Sequence, residues 1–393
     1  MVVKIILKPK KDEAVRRFHP WIFSGAIHHI EGEPEDGSIA EVYDFRGGYL
    51  ATGHFQKNSS IAVRIFSFEK TDTNHDFWVK KLQQAMNYRV GLGLVQNKET
   101  SCYRLVHAEG DGLPGLIVDI YEKTAVIQCH SIGMHRQRTV IAEALMEIGG
   151  GNILAVYDKS KETLPPNYAA TIENQYLYGD SMPQLVIENG YFFYVDWESG
   201  QKTGFFLDQR NNRQLLTRYV HGKTVLNTFC YSGGFSIYAL KAGAKLVHSV
   251  DVSQKAVELT KNNIEINQFD PEHHTVYASD VLKFLKDCQA YEVIIVDPPA
   301  FAKSLSKRHN AVQGYKRLNA AALSKVKSGG LLFTFSCSQV VDRELFYNTI
   351  VAAAIESGRQ VRVMHHLSQP PDHPVNLFHP EGAYLKGLAL WVE

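Results

Sequence analysis

Over the first seventy residues, apolar and polar positions alternate in short runs. Val2–Leu7, Ile39–Tyr43, Tyr49–Phe55 and Ile61–Phe68 alternate or are β-branched, and Gly37, Gly47-Gly48 and Asn58-Ser59-Ser60 supply turn chemistry between them. The pattern predicts a small β barrel. It changes at Phe77–Gly91, where Trp78, Leu82, Ala85 and Met86 recur at helical spacing. Strands are then expected at Arg104–Val106 and Leu116–Tyr121, on either side of the turn Asp111-Gly112-Leu113-Pro114-Gly115, and at Thr124–Cys129. A helix over Arg136–Ile148 and a strand at Ala155–Tyr157 complete a second, α+β unit. Residues 158–185 have no clear period and contain Pro165-Pro166, which places a domain boundary there.

Beyond residue 220 the period switches regularly. Strand Thr224–Phe229 leads into Cys230-Tyr231-Ser232-Gly233-Gly234 and helix Phe235–Ala242. Strand Leu246–Val250 ends at Asp251 and is followed by a helix from Gln254 to Asn267. Strand Thr275–Ala278 ends at Asp280 before helix Val281–Asp287, strand Glu292–Val296 ends at Asp297, and strand Leu331–Phe335 ends at Ser336-Cys337-Ser338. Strands separated by helices of this length predict a parallel, doubly wound α/β sheet. Ligands of such sheets bind outside the carboxyl ends of the strands, where this chain places its polar residues.

Composition narrows the class. The 393 residues are 45% hydrophobic and 21% charged, as in globular proteins, and carry a formal net charge of +1. No run reaches the roughly 18 apolar residues of a membrane span, and the N-terminus lacks an apolar signal core, so a cytoplasmic protein is expected. The five cysteines lie far apart without a CxxC pair, which speaks against zinc-finger spacing and against a secreted disulfide framework; no metal is expected. Charge matters only locally. Pro298 to Val341 contains no acid but holds Lys303, Lys307, Arg308, Lys316, Arg317, Lys325 and Lys327. Such a stretch is either a solvated helix face or a phosphate-binding surface.

The first sheet loop lacks GxGxxG, so a dinucleotide pyrophosphate fits poorly, whereas Gly233-Gly234 still allows close backbone approach. Asp251, about twenty residues on, suits ribose hydroxyls, and Asp280 suits an adenine amino group. A nucleoside without phosphates satisfies all three, and S-adenosylmethionine is the common one. Asp297-Pro298-Pro299-Ala300-Phe301 after an apolar strand is characteristic of methyltransferases acting on nucleobases or amides: the prolines fix the backbone beyond the strand, and Phe301 is placed to stack on a base.

These segments, together with His19-Pro20-Trp21-Ile22-Phe23-Ser24, Asp111 to Leu116, Lys202 to Arg210, Asn227 to Phe235, Asp372-His373-Pro374 and Glu381 to Gly387, make the chain resemble the ribosomal RNA large-subunit cytosine-5 methyltransferase family over its whole length. The resemblance implies a PUA RNA-binding barrel over 1–70, a central α+β domain over 71–185 and a class I (Rossmann-like) methyltransferase over 186–393. It implies S-adenosylmethionine as cofactor and 23S ribosomal RNA, free or in an assembly intermediate, as partner. Cofactor contacts fall on Asp208, Gln209, Arg210, Asn227, Phe229, Ser232, Gly233, Asp251, Asp280 and Asp297.

The resemblance also makes Cys337 the nucleophile. Cytosine C5 is a poor nucleophile, and a thiolate adding to C6 pushes electron density onto it. Asp297 then contacts the N3 edge of the base. The base has to leave its stack, with Phe301 and Tyr315 as candidates for holding it and Lys307, Arg308, Lys316 and Arg317 for the RNA backbone. In the family, many members carry a second cysteine after the D-P motif; here Pro298-Pro299-Ala300 stands there, so the residue that takes the C5 proton is not identified. Two alternatives remain: methylation of a base nitrogen, in which Cys337 is spare, and a non-catalytic RNA-binding assembly protein. The sequence leaves the oligomeric state open, a homodimer included.

Overall fold

A computed structural model describes residues 3–302 and 304–393. Val2, expected to open the first strand, and Lys303 of the basic stretch lie outside them. The chain forms two compact units. One comprises Met1–Ile187 with the segments Val195–Leu207 and Pro371–Gly382; the other comprises Glu188–Tyr194, Asp208–Pro370 and Ala383–Glu393. Two stretches of the expected third domain, 195–207 and 371–382, therefore pack in the first unit.

The first unit contains two sheets. The N-terminal sheet has six strands in the order Trp21–Phe23, Ile61–Ser67, Tyr49–Phe55, Ile39–Tyr43, Val3–Leu7, Ile27–Glu31. Val3–Leu7 and Ile39–Tyr43 run parallel and the other pairs antiparallel. Ile5, Leu7, Val42 and Val63 are fully buried, as their alternation requires. The second sheet has five strands, Gln175–Tyr178, Ala155–Asp158, Thr124–Cys129, Leu116–Tyr121 and Cys102–His107 in that order. The strand at 175–178 lies in the stretch that shows no period, because all four of its residues are only partly buried or exposed. Helix His75–Gly91 packs against helix Arg138–Gly149. The single helix expected at 136–148 is two, Ile132–Arg136 and Arg138–Gly149, since Gln137 leaves helical geometry and Ser131 starts a new N-cap.

The outlying segments are fastened into this unit by polar contacts. Arg89 donates to the Asp372 carbonyl at 2.7 Å, and the Asp372 carboxylate accepts from Arg104 N at 3.1 Å. The Thr203 hydroxyl donates to Asp119 at 2.6 Å, a carboxylate that also takes both ends of the Arg104 fork at 2.8 Å.

The second unit is a seven-stranded sheet. Its strands are β1 (Thr224–Thr228), β2 (Leu246–Asp251), β3 (His274–Ala278), β4 (Tyr291–Val296), β5 (Val326–Ser336), β6 (Val361–Ser368) and β7 (Lys386–Val392), in the order β3-β2-β1-β4-β5-β7-β6. The first five are parallel, as the alternation predicts. The sheet is mixed rather than all parallel: β7 enters antiparallel between β5 and β6. Val225, Val247, Val293, Ile294, Ile295 and Leu332 have no exposed surface, the continuous apolar pattern of strands covered on both faces. The covering helices are α1 (Gly234–Lys241), α2 (Gln254–Ile266), α3 (Val281–Asp287), α4 (Arg308–Leu323) and α5 (Arg343–Ser357). Among the described residues, no helix is long and apolar enough to cross a membrane.

Candidate active site

Parallel strands bring four loops to one edge of the sheet. The loop after β1 is the most constrained. Phe229, Tyr231 and Gly233 all have positive φ, at 56°, 48° and 76°. Two non-glycine residues in that region are uncommon and persist only where the surroundings enforce them. Asp251, at the end of β2, does so: one carboxylate oxygen accepts from Tyr231 N at 3.1 Å, the other from Ser253 N at 2.9 Å. Thr260 and Asn263 of α2 donate to the carbonyls of Tyr231 and Ser232, both at 2.9 Å. A Cβ on Gly233 would stand 2.8 Å from Thr260 Cγ2, so only glycine fits.

The remaining expected cofactor residues are placed as follows. Ser232 is buried in this loop, and the Phe229 ring packs on the core. Asn227 donates to Ser236 Oγ at 2.9 Å within the β1–α1 layer, so its amide braces the loop from below instead of facing a ligand. Asp280 is exposed and N-caps α3, accepting from Lys283 N at 2.9 Å. Carboxylates with spare lone pairs at consecutive strand ends, around a loop without side-chain bulk at Gly233, suit a nucleoside. Asp251→Ala is expected to weaken S-adenosylmethionine binding at least tenfold, about 1.4 kcal/mol, with the fold retained. Calorimetry checks it, and unchanged affinity removes Asp251 from the site.

A second set of contacts gathers around Asp297 and Cys337. Gln209, buried, donates to Asp297 at 3.0 Å and accepts from Asn212 at 2.6 Å. Asp208 accepts from the Tyr384 hydroxyl at 2.6 Å. Ser338 Oγ donates to the Ala302 carbonyl at 2.8 Å, tying the Ser336-Cys337-Ser338 turn to the Asp297–Ala302 loop. Cys337 itself is half-buried. Its competitor Cys230 is buried, and burial pushes that thiol up to about 12, which leaves it protonated and unreactive.

Three expectations need correction. Arg210 does not stand open to a ligand: its Nε lies 3.5 Å from Glu188, a carboxylate with no exposed surface that Arg213 also grips at 2.9 and 2.8 Å. Tyr315 has no exposed surface and packs against Phe301, ring centroids 4.5 Å apart, so it supports that ring and cannot itself stack on a base. Gly314 makes room, because a Cβ there would meet Phe301 at 3.0 Å. Phe301 remains 37% exposed. The basic stretch is not one surface either. Lys316 pairs with Glu356 at 2.8 Å, Lys327 lies 3.9 Å from Glu292, and Lys325 caps the Cys288 carbonyl at 2.8 Å. Lys307, Arg308 and Arg317 remain exposed.

Lys386, the first residue of β7, was not among the expected site residues. It is 4% exposed, and its ammonium donates to the Ser338 carbonyl at 2.6 Å. Burial pushes its pKa down to about 8, against the attraction of the Cys337 sulfur.

The strand order, the loop after β1 and the acids at the strand ends define a class I methyltransferase. The S-adenosylmethionine-dependent methyltransferase family matches residues 148–388, and the PUA-like domain family matches residues 5–68. Ribosomal RNA large subunit methyltransferase I of Vibrio vulnificus is 40% identical over 397 residues, 99% of each chain. A Streptococcus mutans structure described as a SAM-dependent methyltransferase covers both chains fully at a TM-score of 0.85 and 24% identity. A methyltransferase solved in complex with SAH, SMU.776, does so at 0.86 and 24% identity; both show the shared fold. The chain belongs to the family of ribosomal RNA large subunit methyltransferase I, and its cofactor is S-adenosylmethionine.

Proposed function

We propose that the protein methylates C5 of a cytosine in large-subunit ribosomal RNA, with Cys337 as nucleophile. The observation that supports this reading is a half-buried thiol on the turn after β5, which the Ser338–Ala302 hydrogen bond joins to the loop that begins at Asp297, while the other loop cysteine, Cys230, is buried and its thiol pushed up to about 12. S-adenosylmethionine supplies an electrophilic methyl group on a sulfonium. The chain's residues do the rest. Asp251 and Asp280 hold the nucleoside, with the positive-φ loop supplying the floor. Gln209 keeps one Asp297 oxygen occupied, so the carboxylate is fixed in direction toward the N3 edge of the base. The Cys337 thiolate adds to C6 and moves the ring electrons onto C5. C5 would then take the methyl group, the broken S–CH3 pair staying behind on a neutral thioether. The C5 proton would pass to water as the C5–C6 double bond re-forms and the C6–S pair returns to Cys337.

Phe301, backed by Tyr315, is the platform for the displaced base, and Lys307, Arg308 and Arg317 contact the RNA backbone. The division into a PUA barrel over 1–70, an α+β domain over 71–185 and the methyltransferase over 186–393, less the stretches 195–207 and 371–382, belongs to the same reading, the PUA barrel adding a further RNA contact. The relatives' name supports the ribosomal substrate. The test is nucleoside mass spectrometry of ribosomal RNA from a strain lacking the protein, before and after complementation. Loss and return of one 5-methylcytosine is expected; loss and return of an N-methylated base replaces the mechanism with one that needs no thiol.

A further inference from the structure

Lys386 is set into the site by the sheet itself. Its register partner in β5 is Ser336, the residue before Cys337, and its ammonium sits on the carbonyl of Ser338, the residue after it. The cation is therefore fixed against the turn that carries the thiol. A buried ammonium is costly unless an anion faces it. Among the described residues, no carboxylate lies within 4.0 Å of it. The charged groups acting on it are the Cys337 sulfur, then Arg343 and Asp342 at the start of α5, which oppose one another. From α4, Tyr315 faces the same sulfur and also feels Asp297.

We infer that Lys386 is the counter-ion of the Cys337 thiolate, a positioning residue that keeps the nucleophile ionised before addition to the base and receives it again on release. The inference rests on the reading of Cys337 as nucleophile. In the resting site Lys386 is the ammonium, and the Cys337 proton goes to solvent, leaving thiolate opposite ammonium. On addition, a sulfur lone pair forms the S–C6 bond and ring electrons move toward C5 and N3, while the ammonium keeps its proton. On elimination, the S–C6 bond breaks and its electron pair returns to sulfur, facing the same cation.

The test is the pH dependence of Cys337 alkylation by iodoacetamide in the full-length protein, followed by peptide mass spectrometry. In the wild type, the midpoint is expected below the ordinary thiol value of about 8.5. Lys386→Met and Lys386→Gln should each raise it by about one unit or more, cutting the thiolate fraction at neutral pH about tenfold. The glutamine variant keeps a donor for the Ser338 carbonyl, so it separates charge from geometry, and it decides alone should the methionine variant fail to fold. An unmoved midpoint in both variants, or a shift in the methionine variant only, overturns the inference. Adduct formation with RNA containing 5-fluorocytosine reports on Cys337 independently. An unmoved midpoint with the adduct retained removes Lys386 and spares Cys337. A raised midpoint with no adduct even in the wild type keeps the ion pair and removes the cytosine-5 reading.

Discussion

Cys337→Ala is expected to abolish methylation outright while the fold and S-adenosylmethionine binding persist. Among the described residues, the other cysteine of the strand-end loops, Cys230, is buried and its thiol is pushed up to about 12, so it does not replace Cys337 as the nucleophile for C6. Without covalent addition C5 stays too electron-poor to attack a sulfonium, so the loss should exceed the 10²–10⁴-fold typical of a missing proton-transfer group. RNA carrying 5-fluorocytosine at the target should trap the wild type as a covalent complex stable to denaturing electrophoresis, because fluorine at C5 blocks the proton loss that precedes elimination. Cys230→Ala should still form it. Near wild-type turnover by Cys337→Ala would sink the mechanism, and trapping that disappears in Cys230→Ala alone would move the nucleophile to that residue.

Glu188→Ala is expected to cost about 3–5 kcal/mol of stability, the usual penalty for removing one partner of a buried ion pair. The carboxylate has no exposed surface and serves Arg213 at 2.9 and 2.8 Å, Arg210 at 3.5 Å and the Tyr238 hydroxyl at 2.9 Å. Burial works against the charge on Arg213, and Glu188 more than restores it, raising its pKa. Alanine leaves two buried guanidiniums without their shared anion. Denaturant unfolding measures the loss, and a change under about 1 kcal/mol would place the pair among the weak surface type. Arg210 adjoins Gln209, which fixes Asp297, so residual activity should fall in the folded fraction as well.

The parallel half of the sheet was legible because short apolar strands alternate with helices, four of the strands closing on an acid or a glycine loop and the fifth on Ser336-Cys337-Ser338. β6 was not, since Val361–Ser368 is mostly exposed and carries His365 and His366 in place of a hydrophobic alternation. Charge was the least legible feature. Lys325 and Lys327 are close in sequence to Cys337, but the extended chain of β5 separates them from it by twelve and ten residues, roughly 33–40 Å at about 3.3 Å per residue. Arg210 reads as a ligand contact only while Glu188 is out of view, twenty-two residues earlier at the end of the strand Leu185–Glu188. Lys386 did leave a signal: a lone charge heading the otherwise apolar run Gly387–Val392.

The segments at 195–207 and 371–382 bear on how the protein is made. A ribosome that has finished residue 187 has released nearly all of the first unit, yet Arg89, Arg104 and Asp119 still await Asp372 and Thr203. At about 5–20 residues per second, the wait for Asp372 lasts roughly ten to forty seconds. During that time the N-terminal half is a nascent chain with unanswered polar groups, and the whole second unit except its last strand emerges in between. Birth order and folding order are thus uncoupled, and the part synthesised first is among the last to be completed.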